Sequence, residues 1–154
     1  MKNIVSIIAI LLVAFVAQAQ TANDTLPAAT QSTDTAVVKK SYVHLLHADV
    51  TKYDKKNNPD AWVLVGEVAF RHDSMYMYCD SAYFYNRKNA LKAFGNVRME
   101  QGDTLFLYGD YLDYDGDANL ARVRGNVRLE DKASTLETDS LDYNRTLNLG
   151  YYFD

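Results

Sequence analysis

The sequence predicts an all-β fold of repeated antiparallel strands, and three observations support this prediction. A glycine followed two residues later by valine recurs about every thirty residues, at positions 66, 95 and 125. An aspartate followed four residues later by Tyr or Phe recurs with the same period, at positions 49, 80, 110 and 139. From residue 41 onward, apolar and polar residues alternate with a period of two. The chain is therefore predicted to contain copies of one β supersecondary unit.

The first part of the chain is predicted to direct export rather than to fold. Residues 1–19 have a positive start at Lys2, an apolar run and a small-x-small cleavage site at 17–19, as in a secretory signal peptide. An uncleaved anchor is the alternative, although the run is shorter than the roughly 20 residues that cross a bilayer. Residues 20–40 are rich in Thr, Ala and Asp and are predicted to be a disordered spacer. The folded domain is then predicted to cover residues 41–154.

Charge and cysteine usage narrow the classes of function. The formal net charge of the chain is −4, which argues against a nucleic-acid partner, since such a partner needs a basic face. Cys79 is the only cysteine, so an intramolecular disulfide is excluded and stability must come from a packed core. Its place in an alternating run predicts a small buried residue, with a reactive thiol as the alternative.

Each repeated aspartate is predicted to mark a corner in its strand. Met77 and Cys79 lie at odd offsets before Asp80, whereas Ala82 and Phe84 lie at even offsets after it. A regular strand cannot change phase in this way, because a slip of one residue turns every side chain to the other face. We infer a β-bulge or corner at the aspartate. The carboxylate is expected to cap nearby backbone N–H groups, or to be an exposed polar residue at a bend.

The glycine motif is predicted to lie inside a second strand. Ala93, Val97 and Met99 share one face around Gly95, so the phase does not change there. A glycine in the middle of a strand indicates a sharp twist or a close backbone approach. Turn residues at 57–60, 86–89 and 115–117 precede these strands. The units together predict a meandering, twisted antiparallel sandwich or open jelly roll.

The end of the chain begins a strand without a return strand. Residues 147–153 alternate as a strand does, and the sequence stops at Asp154. One interpretation is that the sequence is a piece of a longer protein. The other is that the last strand is an exposed edge that pairs with another chain.

Patterns of catalytic and metal-binding residues are absent from the sequence. No nucleophile elbow, zinc-protease motif, P-loop or dinucleotide fingerprint is found, so we expect no enzyme activity, catalytic residues or cofactor. His44 and His47 are three residues apart, which places them on opposite faces of a strand, so no metal site is expected from them. Asp113, Asp115 and Asp117 are interpreted as a solvated turn. An EF-hand needs Gly at its sixth position and Glu at its twelfth, and these positions are Ala118 and Arg124.

The repeated motifs resemble those of a known family. Gly-Asn-Val-Arg at 95–98 and 125–128, Gly-Asp-x-Leu-x-Tyr-Asp at 109–115, the thirty-residue period and the leader occur together. This combination resembles the OstA-like (LptA-type) domain of the periplasmic lipopolysaccharide-transport proteins of Gram-negative bacteria, over about residues 42–154. The resemblance implies a twisted β-jelly roll of V-shaped section that does no chemistry.

The resemblance also implies a ligand, partners and a location. Acyl chains of lipopolysaccharide, or of a related lipid, would lie between two sheets. Edge strands would join the chain to other OstA-like transport proteins, or head to tail to copies of itself. The location would be the periplasm, with an outer-membrane association if the chain is the front of a larger assembly protein.

Ten apolar residues are predicted to line the lipid-binding groove. They are Leu64, Val68, Phe70, Met77, Val97, Met99, Leu107, Val127, Leu129 and Leu136. Burial stabilises by about 0.8 kcal/mol per methylene, so such a groove could hold acyl chains. A closed core would use the same residues. The alternative is therefore an exported structural or adhesive β-repeat protein with a filled interior and no lipid.

Overall fold

The computed structural model describes residues 39–153. The predicted leader at 1–19 and nearly all of the predicted spacer at 20–40 lie outside the described residues. Within 39–153 the regular structure is β-strand, apart from a 3-10 turn at Asn86–Lys88. In this part of the chain no helix is long and apolar enough to cross a membrane.

The described residues form one antiparallel sheet of nine strands. The strands are β1 (His44–His47), β2 (Val50–Tyr53), β3 (Trp62–His72), β4 (Met75–Tyr85), β5 (Ala90–Gln101), β6 (Leu105–Asp115), β7 (Leu120–Glu130), β8 (Thr135–Asn144) and β9 (Leu149–Phe153). From β3 to β9 each strand pairs with the next, while β1 and β2 pair with the two halves of β3. The predicted antiparallel meander is confirmed.

A β-bulge interrupts the pairing near the middle of the long strands. Gly66 and Glu67 of β3 lie opposite the single residue Asp80 of β4. Residues 95–96 lie opposite 110, and residues 125–126 lie opposite 139, in the same way. Gly95 and Gly125 have φ of +74°, which glycine adopts without steric strain. We call this row of bulges the fold line, and it contains Asp49, Gly66, Asp80, Gly95, Asp110, Gly125 and Asp139.

Burial along the strands confirms the predicted change of phase at the aspartates. In β4 the side chains of Met77 and Cys79 are buried before Asp80, and those of Ala82 and Phe84 are buried after it. Strand β5, which carries a glycine motif, keeps its buried residues on one parity throughout. Strands with the aspartate, which change phase, alternate with strands with the glycine, which do not. Both kinds keep their apolar residues on one face of the sheet.

The sheet bends along the fold line into two leaves that face each other. The first leaf contains 68–72, 75–79, 97–101, 105–109, 127–130 and 135–138, and the second contains 62–65, 81–85, 90–94, 111–115, 120–124 and 140–144. Phe84 pairs with Trp62 of β3. Trp62 and Phe70 are eight residues apart, so in a flat strand they would be separated by roughly 26 Å. The rings of Phe70 and Phe84 nevertheless lie 5.3 Å apart. The expected open jelly roll is thus one sheet folded on itself.

Side chains between the two leaves form the core, and Cys79 belongs to it. The side chain is 6% exposed, and burial raises the pKa of the thiol to about 11. Since the thiolate is the nucleophilic form, Cys79 is unreactive near neutral pH. Its predicted role as a small buried residue is confirmed.

Candidate binding interior and its polar end

The structure brings the ten predicted groove residues together between the leaves. Eight of them are at most 2% exposed: Leu64, Val68, Phe70, Met77, Val97, Met99, Leu107 and Val127. Leu129 and Leu136 pair with each other across β7 and β8, and both are only partly buried. Alternation alone predicts that these residues lie on the interior face, because on a half-buried strand it fixes which face each side chain occupies.

The interior is a packed core over strands β3 to β6. Phe70 of the first leaf contacts Phe84 of the second, and both side chains are buried. Met77 and Met99 pair across β4 and β5 and are 1% and 2% exposed. The leaves therefore touch along this part of the sheet, and no open groove separates them here.

The interior is only partly covered at one end of β7 and β8 and along β9, although Val123, Val127 and Leu141 in these strands are buried. Strand β9 pairs only with the second-leaf half of β8, at 140–144. Tyr152 pairs with the buried Leu141, so it belongs to the interior face, yet it is 57% exposed. Together with the partly buried Leu129 and Leu136, it leaves apolar surface of the interior accessible at this end.

A hydrogen-bonded cluster joins the free ends of the two leaves. We call it the polar latch, and it consists of Ser41, His72, Asp73, Tyr114 and Arg145. The Arg145 guanidinium donates to Asp73 Oδ2 at 2.8 Å and to Tyr114 Oη at 3.2 Å. His72 Nδ1 lies 2.6 Å from Tyr114 Oη, and Ser41 Oγ donates to Asp73. First-leaf residues at the end of β3 are thus tied to β6 of the second leaf and to the β8–β9 turn.

The geometry of the latch assigns its protons. Arg145 Nη1 lies 3.1 Å from His72 Nδ1 and can only donate, so Nδ1 is an acceptor and the ring proton is on Nε2. The Tyr114 hydroxyl then donates to Nδ1 and accepts from Arg145. Within the described residues, His72 Nε2 has no hydrogen-bond partner although it is buried.

Burial and neighbouring charges set the ionisation of the latch. Desolvation, and then the positive charge of Arg145, lower the pKa of His72. Desolvation raises the pKa of Tyr114 to about 12. Hydrogen bonds from Ser41 and Arg145 lower the pKa of Asp73. At neutral pH the latch therefore has one anion and one cation, with a neutral imidazole and a neutral phenol between them.

A segment at 40–43 closes the same end of the molecule. The backbone N–H of Val43, which is 4% exposed, donates to Asn89 Oδ1 at 2.7 Å. The Asn89 side chain donates in turn to Ser41 O at 3.0 Å and to Asp117 Oδ1 at 2.7 Å. Lys40 Nζ pairs with Asp117 at 2.8 Å. The segment thus connects the β4–β5 and β6–β7 turns.

Sequence reasoning did not identify the latch. His72 lies two residues after Phe70, so alternation places it on the interior face, and a polar residue there was the available signal. Its partner Arg145 lies in a turn 73 residues further along the chain, and no local pattern indicates that contact.

The outer face of the first leaf is polar and aromatic. The guanidinium of Arg98 lies 4.6 Å from the ring centroid of Tyr78, and Arg128 lies at the same distance from Tyr108. A surface depression of about 670 Å³ lies beside Tyr108 and Arg128. Two of the twelve tyrosines, Tyr78 and Tyr108, thus pack against arginines on the outer face.

Two strand edges expose large apolar side chains. At the β1–β2 edge, Leu46 is 50% exposed and Val50 is 41% exposed. At the β9 edge, Tyr151 and Phe153 are 56% and 60% exposed. Both edges present strand backbone without a partner strand within residues 39–153, a surface suited to pairing with another strand.

Comparisons with known proteins agree with this architecture. The family described as OstA-like protein matches residues 40–154. Among solved structures, LptH from Pseudomonas aeruginosa, described as the LptA-homologous periplasmic component of a lipopolysaccharide transport device, is similar with a TM-score of 0.63. The match has 17% sequence identity and covers 71% of this chain and 80% of LptH, so it concerns the fold. A search of curated proteins gives no match.

Proposed function

This chain belongs to the OstA-like protein family, and we propose that it is a periplasmic module that binds lipopolysaccharide and carries it towards the outer membrane. The acyl chains would lie between the two leaves. The observation that carries the proposal is the continuous apolar interior, which is packed over β3–β6 and partly open at Leu129, Leu136 and Tyr152. No catalytic role is proposed.

The exposed end of the interior is the proposed site of first contact with lipid. Leu129, Leu136 and Tyr152 already meet solvent there, so an acyl chain can cover them without first separating the leaves. Each methylene buried contributes about 0.8 kcal/mol. To reach the interior over β3–β6, the acyl chain must replace contacts between the leaves, such as that of Phe70 with Phe84. Deeper binding therefore requires the leaves to open.

The strand edges are the proposed contacts with protein partners. Main-chain pairing along β1–β2 or β9 would extend the sheet into another OstA-like protein or a second copy. The exposed apolar residues at both edges would be covered by that pairing. The apolar interiors of the two molecules would then become continuous, which is how lipid would pass from one to the next.

The packed part of the interior favours a second candidate function. A structural or adhesive β-repeat protein needs a filled core and no lipid, and strands β3–β6 have such a core. The two candidates differ in what happens at β7–β9. Only the lipid-binding candidate predicts that an acyl chain covers Leu129 and Leu136.

Site-specific photocrosslinking of the full chain tests the proposal. A photoreactive residue in place of Leu129 or Leu136 is expected to crosslink to lipopolysaccharide. The matched control is Arg128, the neighbour of Leu129 on the same strand, whose side chain is on the outer face. Crosslinks from Arg128 alone, or from none of these positions, would reject lipid binding between the leaves and favour the structural candidate.

A further inference from the structure

The fold line repeats an amide–carboxylate pair between neighbouring strands. Asn96 Nδ2 donates to Asp80 Oδ2 at 2.8 Å, and Asn126 Nδ2 donates to Asp110 Oδ2 at 2.6 Å. Each asparagine follows the bulge glycine and has a positive φ, 45° and 46° respectively. In both copies an amide N–H thus satisfies the aspartate of the preceding strand.

The first copy keeps the backbone geometry but changes the chemistry. The backbone N–H of Asp49 donates to Gly66 O at 3.0 Å, and the residue after Gly66 has φ of +42°. That residue is Glu67, where the other copies have asparagine. A second carboxylate therefore replaces the amide donor beside Asp49. Within residues 39–153, Glu67 has no ion pair that would compensate its charge.

A histidine completes the cluster only in this copy. His47 Nε2 lies 3.2 Å from Asp49 Oδ1, whereas the equivalent positions two residues before Asp80 and Asp110 are tyrosines. One donor atom from each of His47, Asp49 and Glu67 lies within 4.8 Å of the other two. No other group of this kind is found in the described part of the chain.

We propose that His47, Asp49 and Glu67 bind one divalent transition-metal ion of the Zn²⁺ type. An imidazole nitrogen with two carboxylates is a Zn²⁺ donor set, whereas Ca²⁺ and Mg²⁺ prefer oxygen ligands alone. Bonds of about 2.0–2.2 Å to one tetrahedral ion place its ligand atoms roughly 3.4 Å apart. The three donors, now within 4.8 Å of one another, reach this spacing by rotation of their exposed side chains. The ion would neutralise the two carboxylates and link the β1–β2 edge to β3.

The site has an open position that proteins usually fill with water or a substrate. Three protein ligands leave a tetrahedral ion one ligand short. Because the cluster lies at the exposed β1–β2 edge, a donor from another molecule could take this position. The inference does not depend on lipid binding, so either proposal can fail alone.

Calorimetric titration of the untagged full chain with Zn²⁺ at neutral pH tests the inference. Wild type is expected to bind one ion and to melt at a higher temperature with it. Glu67→Asn restores the pair found in the other copies, so it should fold, and it should weaken binding roughly tenfold or more, as His47→Ala should. His44→Ala, which changes an exposed histidine of the same strand outside the cluster, should bind as wild type does.

Three results would overturn the metal site. They are no Zn²⁺ binding by wild type, equal binding by wild type and Glu67→Asn, and tighter binding of Ca²⁺ than of Zn²⁺. The first rejects a site altogether, the second assigns the ion to other residues, and the third rejects the role of the imidazole.

Discussion

Strands β3–β6 and β7–β9 carry the same repeat but differ in what lies above their apolar faces. Over β3–β6 the leaves touch, and residues such as Phe70 and Met99 are at most 2% exposed. Over β7–β9 the equivalent face is partly open at Leu129, Leu136 and Tyr152. The repeat therefore determines which way a side chain points, whereas the opposite leaf determines whether it is covered.

Truncating the interior should separate the two regions most strongly. Phe70→Ala is expected to lower the free energy of unfolding by about 3–5 kcal/mol, because it leaves a cavity against Phe84. Leu136→Ala should lower it by only about 1 kcal/mol, since the side chain already meets solvent. Urea denaturation measures both values. Equal losses would mean that the β7–β9 end is as well covered as β3–β6.

Changing glycines tests whether the fold line is sterically tight in the packed region. Gly95→Ala is expected to cost about 2–3 kcal/mol, because φ is +74° and a Cβ would collide with the carboxylate of Asp80. Gly102 also has a positive φ, +59°, but has open space around it, so Gly102→Ala should cost only about 1 kcal/mol. Thermal denaturation distinguishes them. If both variants melt alike, the close approach at the fold line does not limit stability.

Removing the latch cation should have an intermediate effect. Arg145→Gln leaves Asp73 and Tyr114 without their charged donor and is expected to cost about 1–3 kcal/mol. Arg98→Gln removes an exposed ion pair with Glu100 and should cost less than about 1 kcal/mol. Chemical denaturation of both variants makes the comparison. A larger loss for Arg98→Gln would show that the latch does not hold the leaves.

The pH dependence of the latch should give the smallest effect. The pKa of His72 is below its usual 6.5 in the folded state, so the unfolded chain binds a proton first as the pH falls. The contribution of neutral His72 to stability is complete above pH 6.5 and is lost as the pH falls through the folded-state pKa of His72. Positive charge on Arg145 and His44 opposes protonation, and Asp73 favours it.

Denaturation at a series of pH values measures this dependence. Wild type should lose stability below pH 6.5, before the carboxylates titrate, and His72→Gln should give a flatter profile in that range. Parallel profiles for the two proteins would show that protonation of His72 does not cause the loss of stability.

The sequence predicted orientation better than contact. The phase change at Asp80 and the ten interior residues followed from alternation, which is a local property of a strand. The hydrogen bond from Asn96 to Asp80 did not follow, since the carboxylate was expected either to cap nearby backbone N–H groups or to be an exposed polar residue at a bend. That bond joins two strands, so it depends on a register that only the folded sheet defines.

Whether the leaves meet was left open by the sequence for the same reason. Phe70 and Phe84 touch because the sheet folds back on itself, and alternation gives the same pattern for a closed core and an open groove. The latch depends on Arg145, which a turn brings back to His72. A polar residue on an interior face, such as His72, indicates that a partner is needed. The alternating pattern does not indicate which residue that partner is.

Native mass spectrometry of the full chain purified from a Gram-negative host tests whether lipid binds between the leaves. Wild type is expected to carry a mass increment equal to lipopolysaccharide. The Arg128→Glu variant, changed on the outer face, is expected to keep that increment. Leu129→Glu with Leu136→Glu places charges in the open interior and should lose the increment while remaining folded. Wild type without bound lipid, or a double variant that retains it, would contradict lipid binding between the leaves.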